Sequence, residues 1–417
     1  MDIDQKVHLL SKEYLVLLNK YSYKNSKKLY FVFEFWLKLF FRAHVLKINI
    51  PKNCLNILAL EINSKKSYPI SAKNNVKINI FIKKLIVMFP LKIGRLQGGD
   101  RQSSWIYYII DIITAQKLIH LKMSINIPFR SDFLKNIEYY LDSKMYSKIK
   151  TSLPDNLFFN SIDGNNLPSR YIGSPFSLIS QINNLKILFS SRVVDLIGIQ
   201  HGGAYGEINN WLTEDFELKI ADKYFHWGLG QNNIIPNRFR LVNRKHEEID
   251  KIFILGTPDI GEIDLWGTGF TKAIHQAVIN KRKKLINVFS KKYEVKYIKH
   301  PRQNYLVNKG VESIDLKELN KNDYRSSLFI LDFPLHTFFY QAIYQNIPFL
   351  MFYNKEWKNC LTPAYNKLLD LLYSINSMYY WNEEDLFLAQ IDRILKSRKN
   401  NMQINEIIKT YLARNAN

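Results

Sequence analysis

The sequence is poor in cysteine and has no long apolar run. Only Cys54 and Cys360 occur among 417 residues, far apart and in unrelated surroundings. Two such cysteines form neither a disulfide framework nor a zinc-binding spacing, which indicates a reducing compartment. No uninterrupted apolar stretch of about 18 residues is present, and the N-terminus lacks the basic start and apolar core of a signal peptide. The sequence therefore predicts a cytoplasmic protein without a membrane span.

Several common enzyme motifs are also missing. The chain contains no GxxxxGK[ST] and no GxGxxG, which argues against P-loop ATPases and dinucleotide enzymes. It contains neither a GxSxG nucleophile elbow nor an HExxH zinc helix. The one Asp-x-Asp is Asp2-Ile3-Asp4 at the extreme N-terminus. We therefore expect no sugar transferase that depends on a metal held by an acidic pair, and no other bound cofactor.

Positive charge is what the chain has in excess. Lys and Arg outnumber Asp and Glu by 59 to 37, which gives a formal net charge of +22. Such a surface favours anionic partners, namely phosphorylated substrates, nucleic acid or the acidic face of a membrane. Lys is abundant together with Asn and Ile, a bias that a low-GC genome would also produce. No recognisable nucleic-acid-binding module accompanies the charge, so a nucleic-acid-binding protein is the weakest of the alternatives.

The length and the hydrophobic pattern predict two α/β domains. Residues 7–21 and 28–46 look helical, and Glu34 and Lys38 interrupt the apolar stretch Leu29–Phe41, which indicates a buried helix rather than a membrane span. Strands and helices alternate in the later part of the chain, which predicts βαβ units and a parallel sheet covered on both faces. The expected strands are Lys251–Gly256, Tyr293–Lys299, Ser327–Asp332 and Ile347–Tyr353. The expected helices cover 271–291, 337–345 and much of 362–412.

A loop rich in glycine follows the apolar segment Val193–Ile199. Its sequence is Gln200-His201-Gly202-Gly203-Ala204-Tyr205-Gly206, which is typical of a strand that opens into a tight turn. Glycines let backbone amides approach a ligand closely, and His201 titrates near neutral pH. We therefore predict that Gln200, Gly202, Gly203, Tyr205 and Gly206 form a cleft loop around His201. The alternative is an ordinary turn with a histidine bonded to a backbone carbonyl.

A second histidine, His300, ends the expected strand Tyr293–Lys299. Lys299 and Arg302 place cations beside it. Ligands of open α/β sheets bind beyond the carboxyl ends of the strands, and cations there suit a phosphate oxygen. The alternative is a loop histidine next to the turn residue Pro301.

The third candidate is the segment Leu331–Thr337, which leads from a strand into a helix. A helix that starts near Thr337 directs backbone amides toward an anion. The Thr337 hydroxyl either binds that anion or only caps the helix.

Three groups of residues together resemble a known family. They are the Gln200–Gly206 run, the segment Ala221–Gly228, and the pattern Asp332…Thr337…Asn346-Ile347-Pro348. They resemble a family of bacterial surface-carbohydrate transferases related to the capsule Kdo transferases and, more distantly, to the CDP-glycerol glycerophosphotransferases. The resemblance implies a GT-B architecture, with two Rossmann-like domains facing a central cleft and extra N-terminal and C-terminal helices.

The resemblance also implies a division of the chain. We expect an acceptor-side domain with a helical start over 1–215, a linker or crossover over 216–250, a nucleotide-sugar donor domain over 251–380, and C-terminal helices over 381–417. Members of this family are longer at the N-terminus.

The implied activity is transfer of a sugar without a metal. The donor would be a nucleotide-activated sugar, such as a CMP-linked acidic sugar, and the acceptor a surface polysaccharide or a lipid-linked glycan. His201 would be the catalytic residue, either as the general base or by positioning the nucleophile. The donor and its phosphate would be bound by Lys299, His300, Arg302, Thr337 and Gln341. A lipid-linked acceptor would bring the protein to the inner face of the cell membrane.

The sequence departs from the family at three positions. Gln341 stands where many relatives carry an acidic residue, His336 where they often have Ser, and Leu229 where an aromatic is more usual. Gln341 and the shorter N-terminus leave a second interpretation open, a catalytically degenerate GT-B-like protein that partners an active transferase in a polysaccharide assembly complex.

Overall fold

The structure is a computed structural model that describes residues 2–45, 93–94, 123–164, 167, 169–176, 185–200, 205–229, 249–257, 272–300, 311–320, 322–333, 336–397 and 407–412. Contacts divide the chain into two compact units. Unit 1 comprises Met1–Ile199 and Thr213–Tyr224, and unit 2 comprises Gln200–Leu212 and Phe225–Asn417. The loop that begins at Gln200 therefore groups with unit 2, whereas the division expected from the sequence put it in the acceptor-side domain.

Unit 1 combines a short sheet with helices. The strands are β1 (Ile93–Gly94), β2 (Arg170–Gly173), β3 (Asp195–Ile199) and β4 (Lys223–Phe225) in the order β1-β2-β3-β4. β2 pairs in parallel with both β1 and β3. The helices are α1 (Ile3–Lys20), α2 (Ser26–Val45), α3 (Ile127–Ile137), α4 (Ser143–Ser152) and α5 (Leu212–Ile220).

The helical start predicted from the sequence is confirmed, and its hydrophobic pattern explains the packing. Asp2 caps α1 by accepting a hydrogen bond from the Gln5 amide at 2.7 Å. The buried face of α1 follows the helical repeat and carries Tyr14 at its centre. The Tyr14 ring stacks on Phe33 of α2 at 4.2 Å between centroids, and its hydroxyl donates to the Leu157 carbonyl. These contacts join α1 and α2 through buried aromatic side chains.

Unit 2 contains a six-stranded sheet with the order β10-β9-β8-β5-β6-β7. Every neighbouring pair is parallel, which confirms an α/β fold with parallel sheets. The strands are β5 (Lys251–Leu255), β6 (Glu294–Lys299), β7 (Glu312–Asp315), β8 (Ser327–Leu331), β9 (Phe349–Tyr353) and β10 (Met378–Tyr380). Counted along the chain from β5, this is the order 3-2-1-4-5-6 of doubly wound dinucleotide-binding folds.

Helices cover both faces of this sheet. They are α6 (Lys272–Phe289), α7 (Asp323–Ser326), α8 (Thr337–Gln345), α9 (Pro363–Ser374) and α10 (Glu384–Ser397), and residues 407–412 are also helical. Strand residues alternate between the two faces, so that Phe253 packs in the core with α8 and α9 while Ile254 packs in the core with α6 and α10.

The strands β5, β6, β8 and β9 and the helices α6 and α8 confirm the elements predicted from the sequence. The strand β10 interrupts the region that was expected to be mainly helical, and β7 was not predicted. Both have at most four residues, too few to produce a recognisable period. Among the described helices, none is long and apolar enough to cross a bilayer.

Candidate functional site

The site lies at the carboxyl edge of the unit 2 sheet, where the strand order reverses between β5 and β8. Ligands of doubly wound folds bind in the crevice at such a switch point. Thr257 follows β5, His300 follows β6 and Asp332 follows β8. The parallel pairing of β5 with both neighbours brings these three strand ends to one edge.

Arg282, from α6, contacts the strand ends after β5 and β8 and a side chain within β6. Its Nε and Nη2 donate to the two carboxylate oxygens of Asp332, both at 2.6 Å. Its Nη1 lies 3.3 Å from the Thr257 hydroxyl and 3.3 Å from the Tyr297 hydroxyl. The Arg282 side chain is 0% exposed and that of Asp332 2%. A bidentate pair of this kind is geometrically specific, so it fixes the edge of the sheet at the switch point.

His336 is the N-cap residue of α8, close enough to Arg282 for the guanidinium charge to act on its imidazole. It is 9% exposed. Burial, together with the charge of Arg282 and the nearby His300, lowers the pKa of His336 to about 3. Its ring is therefore neutral at physiological pH. Within the described part of the chain, Nε2 of His336 is buried and has no hydrogen-bond partner.

The helix α8 starts at Thr337, and two predicted donor-binding residues lie on the same face of this helix. Because α8 follows β8, its N-terminus lies at the carboxyl edge of the sheet, where the helix dipole favours an anion. Thr337 and Gln341 lie one turn apart. The side-chain amide of Gln341 donates to Oε1 of Gln345 at 3.3 Å, so it is engaged along the helix.

Two of the other predicted residues on the donor side, Lys299 and His300, lie at the end of β6. Lys299 is the last residue of β6 and is exposed, and His300, which is half-buried, follows it. His300 is close enough to influence the pKa of His336. Arg302 lies outside the described residues. The structure thus brings His300 together with His336, and leaves the position of Arg302 as a prediction.

Gln200 fixes the chain at the start of the segment Gln200–Gly206, which we call the His-Gly loop. The Gln200 amide donates to the Phe225 carbonyl at 3.0 Å, and its side-chain oxygen accepts from the Trp227 amide at 2.9 Å. Gln200 is buried, so its side chain holds the segment after β4 in place. His201, Gly202 and Gly203 lie outside the described residues, and their roles stay predictions.

On the other side of the loop, Tyr205 and Gly206 are anchored in unit 2. Tyr205 is buried against Trp211, with ring centroids 4.7 Å apart. Gly206 has φ of +72°, and an added Cβ would lie 2.7 Å from the Leu229 Cβ, so only glycine fits without strain. The Gly206 carbonyl accepts from the Thr362 hydroxyl at 2.6 Å. Both residues therefore have a structural role at the base of the loop.

The segment that Gln200 holds packs directly on α8. The Trp227 carbonyl accepts a hydrogen bond from the Tyr344 hydroxyl at 2.6 Å. A Cβ on Gly228 would lie only 2.3 Å from the ring of Tyr340, so the absence of a side chain allows this approach. The helix α8 thus carries the predicted phosphate-binding end and also supports the segment that is bonded to Gln200.

No metal centre is visible in the parts of the chain that the structure describes. There, no three His, Cys, Asp or Glu side chains are grouped so that they could hold a metal ion.

One comparison with known proteins bears on the chemistry. Residues 183–384 match the family model described as LIC12162 family transferase. The matched region is just under half of the chain, and it contains all the candidate site residues from Gln200 to Gln341. The match supports a transferase, and the description names neither a donor nor an acceptor. No curated protein and no solved structure matches the chain significantly.

The sequence alone did not indicate Arg282 as a residue of the candidate site. It belongs to the basic run Lys281-Arg282-Lys283-Lys284, which looks like a solvated helix face. A usable signal was nevertheless present, because Arg282 lies on the apolar stripe of α6 with Val278, Ile286 and Phe289, which are all buried. A basic residue on a buried stripe needs a buried partner, and only the fold shows that this partner is Asp332.

Proposed function

We propose that the chain is a metal-independent glycosyltransferase of GT-B type that moves a sugar from a nucleotide-activated donor to a glycan acceptor. The main support is the buried polar cluster around Arg282 and His336 at the switch point of a sheet with the dinucleotide-binding strand order. The match to a transferase family over the same residues adds to it. The acceptor would be a surface polysaccharide or a lipid-linked glycan at the inner face of the membrane.

In the proposed reaction, an acceptor hydroxyl oxygen attacks the anomeric carbon of the donor sugar. The bond between that carbon and the phosphate oxygen breaks, and its electron pair leaves with the nucleotide. His201 takes the proton of the attacking hydroxyl as the general base; in the alternative, His201 positions that hydroxyl and the proton passes to solvent water. The amino end of α8, with Thr337, stabilises the charge on the departing phosphate.

Lys299, His300 and Arg302 add attraction for the nucleotide phosphate in this proposal, and Gln341 contacts the sugar or the ribose of the donor. A CMP-linked acidic sugar is the donor that we favour, because the resemblance to Kdo transferases and the net charge of +22 both suit an anionic substrate.

The first experiment is a thermal-shift screen of the full chain with CMP, CDP, UDP and GDP. A ligand that prefers the native state raises its stability, so at least one nucleotide should raise the Tm. His300→Ala should weaken binding of that nucleotide by about tenfold, the effect of losing one hydrogen bond to a charged group. His8→Ala, at an exposed position of α1 in unit 1, is the matched control and should leave the affinity unchanged.

The second experiment tests His201. His201→Ala should lower transfer by about 100-fold or more, in the range of general-base catalysis, while nucleotide binding and the melting curve are retained. Turnover equal to that of the wild type would remove His201 from the mechanism and leave donor binding unaffected.

A second candidate function, the non-catalytic binding partner, is favoured by Gln341. This residue carries no charge, and its amide is bonded to Gln345 rather than presented as an acidic ribose ligand. If no nucleotide raises the Tm of a well-folded chain, this candidate replaces the transferase.

A further inference from the structure

The side chain of His336 has no structural task that the described residues reveal. It occupies the capping position of α8, yet it makes no side-chain hydrogen bond to the first turn of the helix. Its Nε2 is buried without a partner. Burying a polar nitrogen without a hydrogen bond is unfavourable. A buried imidazole nitrogen without a partner at the switch point therefore indicates that a ligand supplies the missing hydrogen-bond partner.

We propose that Nε2 of His336 binds the ligand, by donating a hydrogen bond to a phosphate oxygen of the nucleotide-activated donor. The inference rests on the proposed function and adds to it a specific contact residue, at a position where the resembling family often has Ser. His336 is 9% exposed and precedes the first residue of a nine-residue helix. The helix amino end and the unpartnered nitrogen are two independent features that point to one anion site.

The surrounding charges explain why the imidazole, and not the nearby guanidinium, would make this contact. The Nε and Nη2 donors of Arg282 are taken up by Asp332, and its Nη1 is directed at Thr257 and Tyr297. The charge of Arg282 is therefore compensated inside the protein. The ring of His336 and the amino end of α8 are then the groups that bind the phosphate of the ligand.

The imidazole makes this contact in its neutral form. Among the described residues, Arg282 from α6 and His300 from the end of β6 are the charged or titratable groups that act on its pKa, and Asp332 from the end of β8 is paired with Arg282. Burial and the first two of these hold the pKa of His336 at about 3. A neutral ring still has one N–H donor, so an Nε2–H tautomer can bind an anionic oxygen at any physiological pH.

Calorimetric titration of the full chain tests this contact. The variants are His336→Phe, which keeps a ring and removes the N–H, and His336→Gln, whose amide nitrogen can replace Nε2. The probes are whichever of CMP, CDP, UDP and GDP binds the wild type most tightly, the matching nucleoside, and inorganic phosphate. We expect His336→Phe to bind the nucleotide about tenfold or more weakly, as for loss of a hydrogen bond to a charged group. His336→Gln should recover most of the affinity.

A buried hydroxyl at the start of β8 provides the control. Ser327 begins β8, and its hydroxyl is also buried without a partner among the described residues, but it lies at the opposite edge of the sheet. Ser327→Ala should leave nucleotide affinity unchanged. Binding of the nucleoside, which lacks the phosphate, should be the same in the wild type and in His336→Phe, and binding of inorganic phosphate should weaken in His336→Phe.

Each outcome separates this contact from the proposed function. Equal nucleotide affinity of wild type and His336→Phe overturns the contact and leaves the transferase proposal standing. An equal loss for the nucleoside overturns the phosphate assignment, because a base or ribose group would then be the partner. A wild type that is folded and binds none of the nucleotides overturns the proposed function first, and the contact with it. The affinity ratio of wild type to His336→Phe should be the same at about pH 6 and about pH 8, and a larger ratio at the lower pH would overturn the neutral donor.

Discussion

Arg282 and Asp332 are the pair on which the carboxyl edge of the unit 2 sheet depends. The guanidinium comes from the middle of α6 and the carboxylate from the end of β8, and two bonds of 2.6 Å join them in a fully buried place. Buried ion pairs add little net stability, but removing one partner leaves an uncompensated charge in the interior. The pair therefore fixes the geometry at the switch point. Replacing one partner alone should show the free-energy cost of the buried charge that remains.

Arg282→Met should lower the free energy of unfolding by about 3–5 kcal/mol, because the carboxylate of Asp332 remains buried without its partner. The double variant Arg282→Met, Asp332→Leu should lose much less, since no charge is left in the interior. Urea denaturation at neutral pH measures both. A double variant that loses as much as the sum of the two single variants would contradict this account.

His336 should make stability depend on pH. Its pKa is about 3 in the folded chain and 6.5 in the unfolded chain. As the pH falls below 6.5, the unfolded chain therefore takes up a proton that the folded chain does not, and stability decreases until the pH reaches about 3. Between pH 7 and pH 5 the loss is about 2 kcal/mol for this one group.

His336→Phe should remove that part of the pH dependence. Denaturant midpoints of wild type and variant at the two pH values give the difference, and His8→Phe, at an exposed histidine, is the control that should keep the wild-type slope. Parallel pH profiles for wild type and His336→Phe would show that the imidazole titrates normally in the folded protein.

At the scale of elements, α8 and the segment before α9 organise the site. Tyr340 and Tyr344 of α8 hold the Trp227-Gly228 segment, which in turn is bonded to Gln200. The base of the His-Gly loop is held from a second direction by Thr362. This hydroxyl caps α9 by accepting from the Tyr365 amide at 3.1 Å and donates to the Gly206 carbonyl at 2.6 Å.

Thr362→Ala should therefore have both a stability cost and a local effect. Losing the cap costs about 1–2 kcal/mol, and hydrogen exchange should become faster for the amides of Gly206 and Glu207. Thr362→Ser should restore both. The control is Thr151→Ala on α4, whose hydroxyl is exposed and bonds only to the preceding turn of its own helix. An exchange rate at Gly206 that does not change would mean that Thr362 does not support the loop.

At the scale of the whole molecule, the proposed site residues that the structure describes all belong to unit 2. Gln200, Tyr205 and Gly206 are in this unit together with His300 and α8, although the sequence between them runs through unit 1 over 213–224. Nucleotide binding should therefore respond to changes in unit 2 and tolerate changes in the core of unit 1.

Tyr14→Leu tests this separation. The ring of Tyr14 is fully buried among Phe33, Phe129, Phe133 and Phe158, so its loss should cost about 3 kcal/mol of stability, as for other large core truncations. The nucleotide should still raise the Tm of the variant in a melting scan that starts from a temperature where the variant is folded. Loss of that increase would show that the nucleotide site depends on unit 1.

The sequence by itself determined the local secondary-structure elements and indicated the carboxyl edge of the sheet as the place of the candidate site. Apolar runs in the strands β5, β6, β8 and β9 and the helical repeats of α6 and α8 are local signals, and a histidine directly after a strand marks the carboxyl edge whatever the order of the strands. The strands β7 and β10 gave no such signal, because at most four residues cannot show a period.

Only the tertiary structure decided which strand ends meet and what lies buried between them. The pairing of β5 with both β6 and β8 is set by contacts far apart along the chain, and it creates the switch point. Arg282 and Asp332 are separated by 50 residues, and the burial that keeps His336 neutral comes from its neighbours in space. Charge, burial and hydrogen-bond partners are properties of surroundings, so a basic run and a histidine before a helix acquire their chemistry only when the chain is folded.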